Sequence, residues 1–189
     1  MVVGITGNYC SGKNLASKMF EVCGYTVVDV DKIGHQALEA KKHRLMEVFG
    51  KGIVTHGAVD RKKLGRMVFD NIEKKKTLER VVHPWMIKRV KQAVQDAPNA
   101  VINAALLVEM CLFVLCDFVL GIQVDEEEAA ARGMQRNGLT REQALRIIRS
   151  QVPVKEKLHY VDKVIDNNGS MEEFKQKIMR IIKNLHTGV

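Results

Sequence analysis

The stretch Gly7-Asn8-Tyr9-Cys10-Ser11-Gly12-Lys13-Asn14 places two glycines, a small hydroxyl residue and a lysine within one short segment. A loop of this composition between a strand and a helix points successive backbone N–H groups, and the positive helix end, into one concavity that favours a phosphate. Gly7, Cys10, Ser11, Gly12, Lys13, Asn14 and Leu15 are the candidate cradle, with the Lys13 ammonium on the outer phosphates of a nucleotide. The pattern is a P-loop with one departure, Asn14 at a position that is ordinarily Ser or Thr. Phosphoryl transfer needs, besides such a cradle, a magnesium ion, a carboxylate near the acceptor oxygen and cations that neutralise the moving group. Asp31 is the favoured general base on an acceptor hydroxyl, and a helix-capping role is compatible with it; Asp29, two residues earlier, is then available to the metal together with Asn14. Arg132 and Arg136, one helical turn apart, can close over the phosphates as a mobile lid, although spacing alone fits a solvated basic face equally well. His35 and His83 can contact a substrate or serve only structure, and spacing does not choose between the two.

These groups need elements to hold them. Val2-Val3-Gly4-Ile5-Thr6 reads as a buried strand, and the residues after Lys13 have helical spacing until Gly24 ends the helix. Thr26 to Val30 reads as a second strand delivering Asp29 and Asp31 at its carboxyl end, the edge of an open α/β sheet where ligands bind. From Asp31 to about Asp96 the period is almost wholly helical; Asp60 can cap a helix bearing Leu64, Met67, Val68 and Phe69, and Pro84 can open another at its first turn. Ala100 to Ala104, Phe118 to Val124 and Val164 to Asp166 are further strands. Asp125 is placed to cap the helix that begins Glu126-Glu127-Glu128, Gly138 stops it, and Thr140 with Gln143 and Ser170 with Glu173 form capping boxes for the last two helices. Strands separated by helices throughout predict an α/β fold with a parallel sheet covered on both faces.

A formal charge of +8 on 189 residues indicates anionic partners, whether nucleotides, nucleic acid or a membrane surface. One Trp and three Tyr are too few for an extended base-stacking surface. The apolar stretch from Ala104 to Val124 contains Glu109 and Asp117 and reads as core, not as a membrane span. Cys10, Cys23, Cys111 and Cys116 lack paired metal spacing and read as reduced thiols. No basic segment leading into an apolar one opens the chain, so a cytoplasmic protein is expected, without membrane or nucleic-acid partners.

Taken in order, these residues resemble the dephospho-coenzyme A kinase family over nearly the whole chain. The resemblance is carried by the loop from Gly7, Val28 to His35, Asp60-Arg61 with Leu64, Val68 and Phe69, Leu78-Glu79 with His83-Pro84, and Leu106-Leu107 with Glu109. Arg132 with Arg136, Arg146 with Ser150-Gln151, and Asp162 to Gly169 complete it. It implies a P-loop NTPase-type three-layer kinase with a nucleotide core (1–31, 97–125 and 152–189), a helical substrate-binding insertion (32–96) and a helical lid (126–151). It further implies transfer of the ATP γ-phosphoryl, with Mg2+, to the ribose 3′-hydroxyl of dephospho-coenzyme A by a monomer. Asp31 falls on the family's base, Lys13 on its phosphate lysine and Arg132 and Arg136 on its lid arginines. Asn168 and Gly169 fall near the adenine-binding turn, and Asp31, His35, Arg61, His83 and Glu109 on the substrate side. Three positions depart from the pattern: Cys10 stands for Gly, Asn14 for the hydroxyl residue that touches magnesium, and Asn103 for Asp at the end of the third strand.

Alternatives are another P-loop nucleoside or nucleotide kinase, a catalytically weakened relative, and, from a different class, a basic nucleic-acid-binding module whose affinity would fall steeply with salt. A GTPase is excluded: Asp31-Lys32-Ile33-Gly34 fits its Asp-x-x-Gly element, but no Asn-Lys-x-Asp follows.

Overall fold

The computed structural model describes residues 1–69, 71–152 and 154–187. In chain order the regular elements are β1 (Val2–Gly7), α1 (Lys13–Val22), β2 (Thr26–Asp29), α2 (Val30–Ala40), α3 (Lys42–Phe49), β3 (Val54–Thr55), β4 (Ala58–Val59), α4 (Arg61–Phe69), α5 (Ile72–Gln95), β5 (Ala100–Asn103), β6 (Phe118–Gln123), α6 (Glu126–Asn137), α7 (Arg141–Arg149), β7 (Lys163–Asp166) and α8 (Met171–Thr187). The chain divides into two compact units, 1–29 with 94–189, and 30–93.

The first unit is built on a five-stranded parallel sheet in the order β2-β5-β1-β6-β7, with helices on both sides. Its central strands carry near-continuous apolar runs because both faces are buried. On one face Val3, Ile5, Val101, Leu120 and Ile122 pack against Ala16 and Phe20 of α1 and Phe174, Ile178 and Ile182 of α8. Gly4 admits the other layer: a Cβ there would lie 2.8 Å from Cys116 Sγ and 2.9 Å from Leu107 Cδ2. Burial, with Asp117 and Asp162 adding to it, pushes the Cys116 thiol up to about 12, so it stays protonated and inert. All four cysteines are free. The capping boxes form as the sequence predicts: Thr140 Oγ1 accepts from Gln143 N, and Ser170 Oγ from Glu173 N, each with the reciprocal bond. Asp125 does not cap α6 through its side chain, although it occupies the cap position; its N–H instead donates to Asn168 Oδ1 at 2.7 Å.

The second unit is helical but contains a feature the helical period does not announce. β3 and β4 pair antiparallel around His56-Gly57, both with positive φ (49° and 80°), the backbone of a two-residue primed turn. Strands of two residues are too short to show a period. Asp60 caps α4 as expected, accepting from Lys62 N and Lys63 N, and those bonds hold its carboxyl below the usual carboxylate range. Pro84 does not open a helix; it lies inside α5, which runs unbroken from Ile72 to Gln95. An interior proline forfeits one helical hydrogen bond, about 3 kcal/mol in an isolated helix. The buried stripe Val82, Met86 and Val90 continues through the proline and carries the helix past it. Beside Pro84 lies an open cavity of about 420 Å³ lined by Lys76, Glu79, Arg80, His83 and Ile87.

Candidate active site

β1 delivers the chain into the loop at Gly7, and α1 receives it at Lys13. Two glycines make the turn possible. A Cβ on Gly7 would press on the Ile122 carbonyl and lie 2.6 Å from Ser11 Oγ. Gly12, with φ +104°, faces Asn167 Nδ2 and the Phe174 ring at 2.6 and 3.2 Å from where its Cβ would be. Cys10 adopts the left-handed conformation too, φ 56°, although it carries a side chain. That conformation is why glycine suits this position, and it disfavours Cys10 by about 1 kcal/mol.

Inside the loop Lys13 Nζ donates to the carbonyls of Gly7 at 2.9 Å and Asn8 at 3.0 Å. Ser11 is fully buried, and its Oγ, like Asn8 Oδ1, has no hydrogen-bond partner among the described residues. Buried polar atoms are ordinarily paired, so two orphans in one glycine-bounded loop mark a place built for a polar ligand. Leu15 turns its side chain to the core and its N–H to the Gly12 carbonyl.

The carboxyl ends of β2 and β5 flank this loop. Asp29 and Asn103 are partners across the β2–β5 ladder, and Asn103 Nδ2 donates to Asn14 Oδ1 at 3.0 Å. The donors gathered here are oxygens, which suits a hard cation such as Mg2+. Among the described residues no group of three or more His, Cys, Asp or Glu is placed to hold a metal. Asp31 lies two residues beyond Asp29, exposed in the first turn of α2.

On the opposite edge, Asn167 is 6% exposed and its Nδ2 donates to the Ser11 carbonyl at 2.8 Å. Arg132 Nη2 donates to the Asn167 carbonyl at 2.8 Å while its Nε donates to Glu128. Arg136 is exposed. Asn168 bonds Asp166 and the Asp125 N–H, and Gly169 lies against the Glu173 carboxylate. Asn167 thus stands nearer the loop than either residue of the expected adenine turn, and its buried amide is invisible in a run of two asparagines.

Glu109 is engaged within the first unit. Its carboxylate lies 2.8 Å from the ammonium of Lys157, which is 3% exposed and also donates to the Ala105 carbonyl. Lys157 carries no sequence signal, since a lysine in a polar stretch reads as solvated. Removing one partner of a buried pair strands the other charge, so Glu109→Ala is expected to lower stability by about 3 kcal/mol. Urea unfolding checks this, and an unchanged midpoint would mean that Lys157 is held by Ala105 alone. In the helical unit Arg61 Nη1 donates to His35 Nε2 at 2.9 Å, since a guanidinium has no acceptor. His83 is half-buried, and burial lowers its pKa against the pull of Glu79.

A family model for dephospho-CoA kinase matches residues 1–173. The chain is 35% identical to a dephospho-CoA kinase of Carboxydothermus hydrogenoformans over 195 residues, 96% of this chain and 93% of that protein. It is similar to the crystal structure of a Thermus thermophilus protein with a TM-score of 0.84 and 33% identity, covering 98% of this chain and 97% of that one. It is similar also to dephospho-CoA kinase from Campylobacter jejuni, with a TM-score of 0.75 and 27% identity over 99% and 98% of the two chains.

Proposed function

The chain belongs to the dephospho-CoA kinase family, which phosphorylates dephospho-CoA with ATP, and on that premise we propose that the acceptor is the ribose 3′-hydroxyl and that Asp31 is its general base. The observation that carries the reading is the phosphate loop, with Lys13 inside it and Ser11 Oγ buried and, among the described residues, unpaired. The Asp31 carboxylate takes the hydroxyl proton as the ribose oxygen bonds to the γ-phosphorus and the β,γ-bridging bond breaks, leaving ADP. Lys13 and the guanidinium groups of Arg132 and Arg136 neutralise charge on the transferring group. Asn14 and Asp29, with the nucleotide phosphates, would hold Mg2+, which when bound neutralises phosphate charge. Residues 32–96 would hold the acceptor, with His35, Arg61 and His83 toward it, and residues 126–151 would act as the lid.

The test is incubation with ATP, magnesium and dephospho-CoA. Mass spectrometry should find one added phosphate, and NMR should locate it on the 3′-oxygen. Phosphate on another hydroxyl would refute the assignment.

The amide pair Asn14–Asn103 favours a second reading, a kinase weakened on its metal side. Amide oxygens are neutral, and Asn14 Oδ1 already shares a lone pair with Asn103. Asn14→Ser is therefore expected to lower the magnesium concentration for half-maximal rate by about tenfold, a typical effect of changes around a metal. Magnesium titration at saturating ATP, with calorimetry of Mn2+ binding to the ADP complex, checks it. An unchanged or raised requirement would show Asn14 adapted to its ion, and absence of turnover in both forms would support the weakened relative.

A further inference from the structure

Tyr9 stands at the apex of the phosphate loop and touches α6 at two points and the chain just past α7 at a third. Its ring lies against Gly133, where a Cβ would come within 2.7 Å of Tyr9 Cε1. Its hydroxyl accepts from Asn137 Nδ2, and its backbone N–H donates to Gln151 Oε1 at 2.7 Å, just past the end of α7. Tyr9 and Cys10 also pack against the small core of Ala129, Ala130, Ala144, Leu145 and Ile148 that joins the two helices. Gly133 and Asn137 are four apart on α6, so the tyrosine lies along one stripe of that helix. Arg132 and Arg136, the residues immediately before them, form the adjoining stripe. Burial raises the phenol above its ordinary value, and the Arg136 guanidinium is close enough to pull the other way.

We propose that Tyr9 is a positioning residue that fixes the register of α6 on the phosphate loop and thereby aims Arg132 and Arg136 at the phosphates. The inference rests on the reading of these arginines as phosphate ligands and deepens it. Gly133 is the complementary half of the contact, because any side chain there displaces the ring.

The experiment is a double-mutant cycle read from the affinity of a non-hydrolysable ATP analogue, which needs no acceptor. Tyr9→Ala and the pair Arg132→Ala with Arg136→Ala are each expected to weaken the analogue about tenfold, the scale of a charge-assisted contact, and combining them should add little to either. Gly133→Ala should reproduce the loss from the helix side without altering the loop's sequence, and should have no further effect when Tyr9 is already Ala. Tyr9→Phe, which keeps the ring, should restore affinity to within about threefold of the parent. Full additivity, wild-type affinity in Tyr9→Ala, or no loss on replacing the arginines would each overturn the proposal. Wild-type turnover of dephospho-CoA, measured in parallel, tests the parent reading alone: coupling without turnover leaves Tyr9 in its role and removes the acceptor assignment.

Discussion

Asp31→Asn is expected to lower the rate of phosphoryl transfer to dephospho-CoA by about 10²- to 10⁴-fold, the contribution of a positioned general base. Asparagine keeps the size of the side chain but cannot take the hydroxyl proton. Asp31 lies in the first turn of α2, two residues beyond the end of β2, and is exposed. Its loss therefore leaves the helix nearly as stable, apart from the roughly 0.5 kcal/mol that a carboxylate contributes at a helix N-terminus. Turnover and binding of an ATP analogue should be measured side by side. The expected pattern is intact binding with lost turnover. Near-normal turnover would remove Asp31 from the mechanism and make Asp29, at the end of β2, the next carboxylate to replace.

Lys13→Met should lower kcat/KM by about 10²- to 10³-fold, the scale of removing one fixed electrostatic contact to a developing charge. Methionine preserves most of the stem, so the change isolates the ammonium. In the structure that ammonium donates to the Gly7 and Asn8 carbonyls at 2.9 and 3.0 Å, which holds it inside the loop rather than out in solvent. Lys13→Arg should not rescue the rate, because a branched planar guanidinium does not fit where a point charge is seated between two carbonyls. Steady-state kinetics over a range of ATP concentrations checks both. Wild-type kinetics in Lys13→Met would show that the loop binds its ligand through backbone groups alone.

What could be read from the chain depended on how far apart the interacting residues lie. The loop from Gly7 to Lys13, the end of α6 at Gly138 and the two capping boxes are local chemistry, written within a few residues, and each appears where the pattern predicts it. The Asn103–Asn14 bond joins positions 89 apart, and Tyr9 N–H to Gln151 joins positions 142 apart. Asn14 and Asn103 stand out in the sequence only as departures from a pattern, and nothing local says that the two bond each other or that Gln151 reaches Tyr9. Pro84 lies inside α5 for a related reason: local rules put proline at a helix start, while the buried stripe of Val82, Met86 and Val90 that overrides them is tertiary. Asp125 shows the converse: it occupies the cap position, yet its side chain makes no capping bond to α6, and its N–H is held by Asn168 from a distant part of the chain.

The strand order also dictates a schedule for synthesis. β1 lies in the middle of the sheet, yet Val2 pairs with Ala100 and Val3 with Phe118. At ribosomal rates of about 5 to 20 residues per second, β1 emerges roughly 5 to 20 s before its first neighbour is made. During that interval its apolar run has no partner strand, while the whole of residues 30–93, a compact unit in its own right, can be completed in between. Non-local parallel pairing of this kind folds slowly and exposes sticky edges while it waits. The nascent chain therefore passes through a stage in which the helical segment is formed and the loop between β1 and α1 is not, and that is the stage at which chaperone capture or aggregation would be decided.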